Sequence, residues 1–315
     1  GELMDEAIRE TGAPAGLFNV VQGGAETAQR LVKHEDVDGI LFTGSWPVGR
    51  SILEANLDRP GRIVALEMGG NNAAVVMNDA HLKQAVIECV RSAFATTGQR
   101  CTCTRRILVQ EGIAEKFIAA FCKSASTLQV GPGRSATPVF MGPLVSEGAM
   151  KNVLKFQDDL ERAGGRVLVR MTRMDGPGWF VTPGVVEVER FTMEQDCEVF
   201  GPLAQVCVVK SLDEAIEQAN ATEFGLAASI FTASKEAADE FFLRVNSGCI
   251  NWNTGTAGAS SKLPFGGVGK SGNHRPAGAF SADYCAYPVA NMVERSADAA
   301  VPAGMMWKDD WGGGT

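Results

Sequence analysis

Three short segments hold residue types that do chemistry. In Leu66-Glu67-Met68-Gly69-Gly70, an acid stands at the end of an apolar strand. A carboxylate entering apolar surroundings has a raised pKa and serves as a general base; a salt-bridged glutamate at a strand end has the same local pattern. In Thr97-Gly98-Gln99-Arg100-Cys101, a thiol follows an arginine in a glycine-broken loop. A neighbouring cation favours the nucleophilic thiolate, although a lone cysteine is also a common structural residue. In Phe42-Thr-Gly-Ser-Trp-Pro-Val-Gly49, a strand ends at Gly44-Ser45 and a helix opens. Backbone N–H groups at a helix start can face a pyrophosphate, but many strand-to-helix turns use Gly and Ser and bind nothing.

Other candidates are weaker. Gly267-Val-Gly269-Lys-Ser-Gly272 matches the G-x-G-x-x-G dinucleotide pattern, but Asn273-His-Arg-Pro276 follows it and no helix can open there. A phosphate-binding loop would need Gly where Pro264 stands, so the segment reads as a Gly-rich surface turn. The eight cysteines include one close pair, Cys101 and Cys103, without the spacing of zinc or thioredoxin-like sites. His34, His81 and His274 share no metal-ligand spacing, so no metal site is expected. Cys89, Cys122 and Cys207 fall in apolar patterns and read as small buried hydrophobes. Cys103 reads as a bystander at the start of a strand. Free cysteines without a secretion signal suggest a cytoplasmic setting.

The elements that must carry these segments alternate. Helices are expected over Leu3–Ile8, Glu26–Lys33, from Trp46-Pro47 onward, and from an Asp79 cap to about Thr97. Further helices are expected over 114–128, 147–163, 212–220 and 235–245. Strands are expected over 39–45, 62–66, 73–77, 107–109, 166–169, 204–209, 226–231 and 248–251. This rhythm implies α/β architecture with mostly parallel sheets and helices on their faces.

The 315 residues carry a net charge of −8, with 45% hydrophobic and 21% charged residues. That is the composition of a globular protein, and its sign argues against nucleic acid or an anionic membrane as partner. No apolar run reaches the length of a membrane span.

Taken in order, the three segments resemble the NAD(P)-dependent aldehyde dehydrogenase superfamily. The family's F-T-G-S-x-x-x-G turn matches Phe42 to Gly49, its L-E-x-G-G segment Leu66 to Gly70, and its G-Q-x-C loop Gly98 to Cys101. Glu198-Val-Phe-Gly-Pro202 and Pro264-Phe-Gly-Gly267 with Ser271-Gly272 match further family segments. The resemblance implies an aldehyde dehydrogenase-like fold: a partial Rossmann-type cofactor domain, an α/β catalytic domain and an oligomerisation strand. It places the cofactor part at 1–66, the catalytic domain at 67–262 and a return to the cofactor domain at 263–280. An edge strand for a subunit contact falls at 281–293, with a tail at 294–315. It implies Cys101 as nucleophile, forming a thiohemiacetal and then a thioester, and Glu67 as the base that activates water. Gly44, Ser45 and Gly49 fall at the pyrophosphate turn, and Glu198 and Phe200 beside the nicotinamide ribose and ring. The implied cofactor is NAD, with NADP open, and the implied assembly a homodimer or dimer of dimers.

A narrower resemblance, to the N-succinylglutamate 5-semialdehyde dehydrogenases of arginine catabolism, rests on several segments. They are Gly98 to Arg106, Gly69-Gly-Asn-Asn72, Gly258-Ala-Ser-Ser261, Pro264 to Pro276 and Ala282-Asp-Tyr-Cys-Ala-Tyr-Pro288. A substrate with several carboxylates would want cations and exposed N–H donors, for which Arg100, Arg105 and the turn Gly258, Ala259, Ser260 are candidates. The family places a long stretch before the position of Gly1, including an asparagine that completes the oxyanion hole, so the chain reads as the back part of a longer enzyme. A non-catalytic fragment keeping fold and subunit contact, an aldehyde dehydrogenase of other specificity, and a cofactor-independent thioesterase are the alternatives.

Overall fold

The computed structural model describes residues 1–312, and the chain divides into the unit Gly1–Cys285 and a second unit that starts at Ala286. The first begins with helices α1 (Glu2–Glu10) and α2 (Ala25–Lys33). Strand β1 (Gly39–Thr43) leads into α3 (Trp46–Glu54), and β2 (Ile63–Glu67) returns parallel to β1. Pro47 lies in the first turn of α3, where its missing N–H costs no hydrogen bond. Ile52 of α3 packs with Leu66 and Met68, so α3 lies against the end of β2.

The elements that follow supply a seven-stranded sheet and the helices on its faces, with one short strand outside it. They are β3 (Asn72–Val76), α4 (Leu82–Phe94), β4 (Thr104–Gln110), α5 (Glu111–Ser126), α6 (Glu147–Arg162), β5 (Arg166–Val169) and β6 (Gly184–Glu187). Then come β7 (Leu203–Val209), α7 (Leu212–Ala219), β8 (Phe224–Gly225), β9 (Ala227–Phe231), α8 (Lys235–Arg244) and β10 (Cys249–Trp252). The sheet order is β10-β9-β3-β4-β7-β6-β5, parallel throughout except for β5 against β6. Parallel connections put helices on both faces. Ala74 and Val76 of β3 enter the core under α4 and α5, while Ala73 and Val75 enter the core under α7 and α8. Burial on both faces explains why this run is apolar without alternation.

Small antiparallel pairs complete the unit. β11 (Pro264–Phe265) pairs with β13 (Ala277–Gly278), and β12 (Val268–Gly269) with β8. The glycine-rich segment is therefore not a surface turn. Ser271 is fully buried; its hydroxyl donates to Gly69 O (2.6 Å) and accepts from Gly225 N–H (3.0 Å). Met68 N–H donates to Ser271 O (2.9 Å), and Asn273 pairs with the β2 backbone at Val64 O (2.8 Å) and Leu66 N–H (3.0 Å). These bonds, with the single antiparallel bridge of Gly272 to Glu67, tie the segment to the end of β2.

Two other expectations change. Asp79 does not cap α4; His81 does, its Nδ1 accepting from Gln84 N–H (3.4 Å). Asp79 instead accepts from Thr232 Oγ1 (2.8 Å), Ala233 N–H (3.1 Å) and Ser234 N–H (3.0 Å), a distant loop with more donors to satisfy. The strand expected over 281–293 does not form within the chain: Ser281–Tyr284 is one helical turn, α9, and residues 285–293 are without strand. A strand needs a backbone partner, and Pro288 has no N–H to offer one. In the second unit, Trp307 and Trp311 meet edge to face, 6.4 Å between centroids. Among the described residues no helix is long and apolar enough to cross a membrane.

Candidate active site

Cys101 sits in a loop held under conformational constraint. After α4, Thr96, Thr97 and Gly98 all adopt positive φ (55°, 58° and 67°). The non-glycine members of such a run carry a conformational cost that the surroundings must offset. At Gly98 the reason is contact as well as φ: a Cβ there would lie 1.9 Å from Gly201 O. Asn72, fully inside the sheet, secures the other side. Its Nδ2 donates to Cys101 O (2.7 Å) and Cys103 O (2.8 Å), and its Oδ1 accepts from Ala227 N–H (3.0 Å).

A second buried anchor is Arg105 on β4, only 4% exposed. Its Nε donates to Gly70 O (3.0 Å), and its Nη2 to Arg100 O (3.0 Å) and Glu198 Oε1 (3.2 Å). Glu198 Oε1 also accepts from Gly70 N–H (2.8 Å). The guanidinium lies 4.8 Å from the Phe200 ring centroid, in cation–π reach. With every contact internal, Arg105 is not a free cation for substrate, contrary to expectation.

Cys101, Arg100, Glu198, Phe200, Gly44, Ser45, Gly258 and Ala259 all line one cleft of about 730 Å³. Gln99, Asn152 and Phe265 join them. Asn152 carried no signal in the sequence, being one polar residue on the polar side of α6. Gly49 and Ser260 do not line this cleft. Gly49 is buried, and a Cβ there would strike Met68 Sδ at 2.3 Å, so it permits close packing of α3 on β2.

Glu67 also lies elsewhere. It lines a separate cavity of about 210 Å³ with His274, Arg275 and Pro276, although its neighbour Met68 faces the Cys101 cleft. Burial raises its pKa to about 7, with the Ala277 N–H opposing. Its Oε2 is buried without a hydrogen-bond partner among the described residues. The thiol differs from expectation too. Burial and then the Glu198 carboxylate hold the Cys101 thiol above its ordinary range, with Thr102 N–H and Arg105 pulling less strongly the other way. Cys103 is fully buried against Ala95 O and Cys89 and Cys207 are buried, while Cys122 is half-buried.

The cleft suits a nicotinamide nucleotide on two observations. The Ser45 side chain does not cap α3, which leaves the first-turn N–H groups for an anion. Glu198 Oε2 makes no hydrogen bond among the described residues, so it is available to a ribose hydroxyl.

Residues 1–288 match the model of the aldehyde dehydrogenase family. A putative aldehyde dehydrogenase from Burkholderia cenocepacia is 35% identical with a TM-score of 0.83, the match covering 89% of this chain and 58% of that one. An NAD-dependent aldehyde dehydrogenase from Sinorhizobium meliloti is 31% identical with a TM-score of 0.85, covering 89% and 56%. A glyceraldehyde-3-phosphate dehydrogenase from Methanocaldococcus jannaschii, complexed with NADP, is 31% identical with a TM-score of 0.81, covering 89% and 60%. The chain thus spans less than two thirds of the length of these solved structures. On the family match and these likenesses, the chain belongs to the aldehyde dehydrogenase family.

Proposed function

We propose that this chain carries the thiol chemistry of an NAD(P)-dependent aldehyde dehydrogenase, oxidising an aldehyde to a carboxylic acid. The observation that carries the reading is the single cleft shared by Cys101, Glu198, Phe200 and the Gly44-Ser45 turn. Cys101 releases its proton to solvent and its thiolate attacks the aldehyde carbon to form a thiohemiacetal, whose oxyanion the Cys101 backbone N–H would stabilise; loss of hydride from that adduct leaves the thioester. Gly44, Ser45 and Glu198 hold the nucleotide, which when bound supplies the hydride acceptor. Glu67, with a pKa near neutrality, takes the proton of the water that hydrolyses the thioester. Its carboxylate opens on the neighbouring cavity, so this step requires the side chain to turn across the end of β2.

The substrate class we propose bears carboxylates, with N-succinylglutamate 5-semialdehyde as the specific case. Arg100 supports it, since it is exposed, adjoins the nucleophile and is the one basic side chain among the described lining residues. The test is NADH formation from this aldehyde by the chain and by the full open reading frame that encodes it. Cys101→Ala is expected to lower the rate roughly a thousandfold or more; activity that survives the substitution overturns the mechanism. Ester hydrolysis at Cys101 with no dependence on NAD would favour a thioesterase instead.

A further inference from the structure

We infer that Arg105 is a positioning residue that sets the Cys101 thiol and the Glu198 carboxylate relative to one another. Three segments far apart in sequence converge on its guanidinium: Gly70 of the Glu67 segment, Arg100 of the thiol loop, and Glu198 with Phe200. Gly98 O lies at 3.5 Å from its Nη1. A planar fork with five donors serves two carbonyls and a carboxylate from fixed, separate directions, where a lysine supplies the same charge from a single nitrogen. Burial makes the arrangement strict, because a guanidinium that is 4% exposed has no water to replace a lost partner. The same cation pairs with Glu198, the one carboxylate among the described residues that line the Cys101 cleft.

The next residue provides an internal control. Arg106 points to the other face of β4, as strand alternation requires. Its Nε donates to Asn71 O (2.9 Å), and its Nη atoms to Gln218 O (2.9 Å) and Ala219 O (2.8 Å), where they cap α7. Both arginines are buried, yet only Arg105 touches the thiol loop and Glu198. The charged groups that face Cys101 are Glu198, Arg105 and the adjoining Arg100, while Glu67 opens on the separate cavity.

The catalytic meaning of the inference rests on Cys101 being the nucleophile, but its test needs neither aldehyde nor cofactor. The rate of Cys101 alkylation by iodoacetamide, read by peptide mass spectrometry, is measured across a pH series. In Arg105→Gln the profile moves to higher pH, and alkylation at neutral pH slows on the order of threefold, equivalent to half a pH unit. Adding Glu198→Gln to that variant restores most of the rate, since the repelling charge is gone. Arg105→Lys keeps the profile near that of the unmodified chain while its melting temperature drops. Arg106→Gln lowers the melting temperature and leaves the profile in place. The inference fails if the Arg105→Gln profile superimposes on the original, or if Arg106→Gln moves it equally. If Arg105→Gln does not fold, Glu198→Gln alone must speed alkylation at neutral pH, and an unchanged rate overturns the inference. Dehydrogenase activity can be present or absent in any of these outcomes, so the two readings stand or fall separately.

Discussion

The carboxylate of Glu198 occupies the space above Gly69: a Cβ on that glycine would stand 1.7 Å from Glu198 Oε2. The clash involves the far end of a side chain and not backbone, and Gly69 is not at positive φ. An added methyl group is therefore accommodated by turning the carboxylate away. Gly69→Ala is expected to cost about 3–5 kcal/mol, because turning the carboxylate away leaves the buried Arg105 guanidinium without its charged partner. The apparent KM for the nucleotide should rise about tenfold or more if Glu198 is the ribose acceptor proposed above, because its carboxylate has moved. Steady-state kinetics with varied NAD, together with urea denaturation, check both parts. A large stability loss with unaltered KM would mean that Glu198 does not hold the nucleotide.

The raised pKa of Glu67 has a signed consequence for stability. In the unfolded chain this carboxyl ionises near 4.5, and in the folded chain near 7. Below 4.5 both states are protonated and the site makes no pH-dependent difference. Between 4.5 and 7 the unfolded chain releases its proton first, so the folded chain loses stability as pH rises, and the loss levels off above 7. Glu67→Gln removes the titrating group. Urea midpoints of the two proteins should diverge in favour of the variant across this window and then run parallel. A constant difference across the same pH series would show that Glu67 is not buried in solution.

Part of this site could be read from residue types, because Cys and a Gly-Ser turn each bring a distinct chemistry in a fixed order, whereas Glu67, read from the same order, opens on a separate cavity. The strands and helices followed from periodicity to within a few residues at most ends. What could not be read depends on distant partners. Asp79 and His81 are both able to cap α4, and only the unsatisfied donors of Thr232 to Ser234, some 153 residues on, decide between them. Arg105 and Arg106 sit side by side in sequence, and strand alternation sends them to opposite faces without saying which carbonyls each meets. Asn152 lies on a helix whose polar side contains many equivalents. The edge strand expected at 281–293 is one that pairs between subunits, and among the described residues of the single chain no strand forms there.

Arg100 gives the sharpest test of substrate class. It lies beside Cys101, has no ion-pair partner among the described residues, and shares the cleft lining with Gly258 and Ala259. Its guanidinium is exposed, so a substrate carboxylate gains a screened, charge-assisted contact worth about 1 kcal/mol or somewhat more. Arg100→Met should therefore lower kcat/KM for carboxylate-bearing aldehydes about tenfold. For a neutral aldehyde of similar length, the same substitution should leave kcat/KM within roughly threefold, because Arg100 takes no part in the chemical step. Raising the ionic strength should erode the preference of the unmodified chain for the charged aldehyde and leave that of the variant unmoved. Equal losses on both aldehydes would assign Arg100 to the shape of the thiol loop and leave the substrate carboxylate without a partner here.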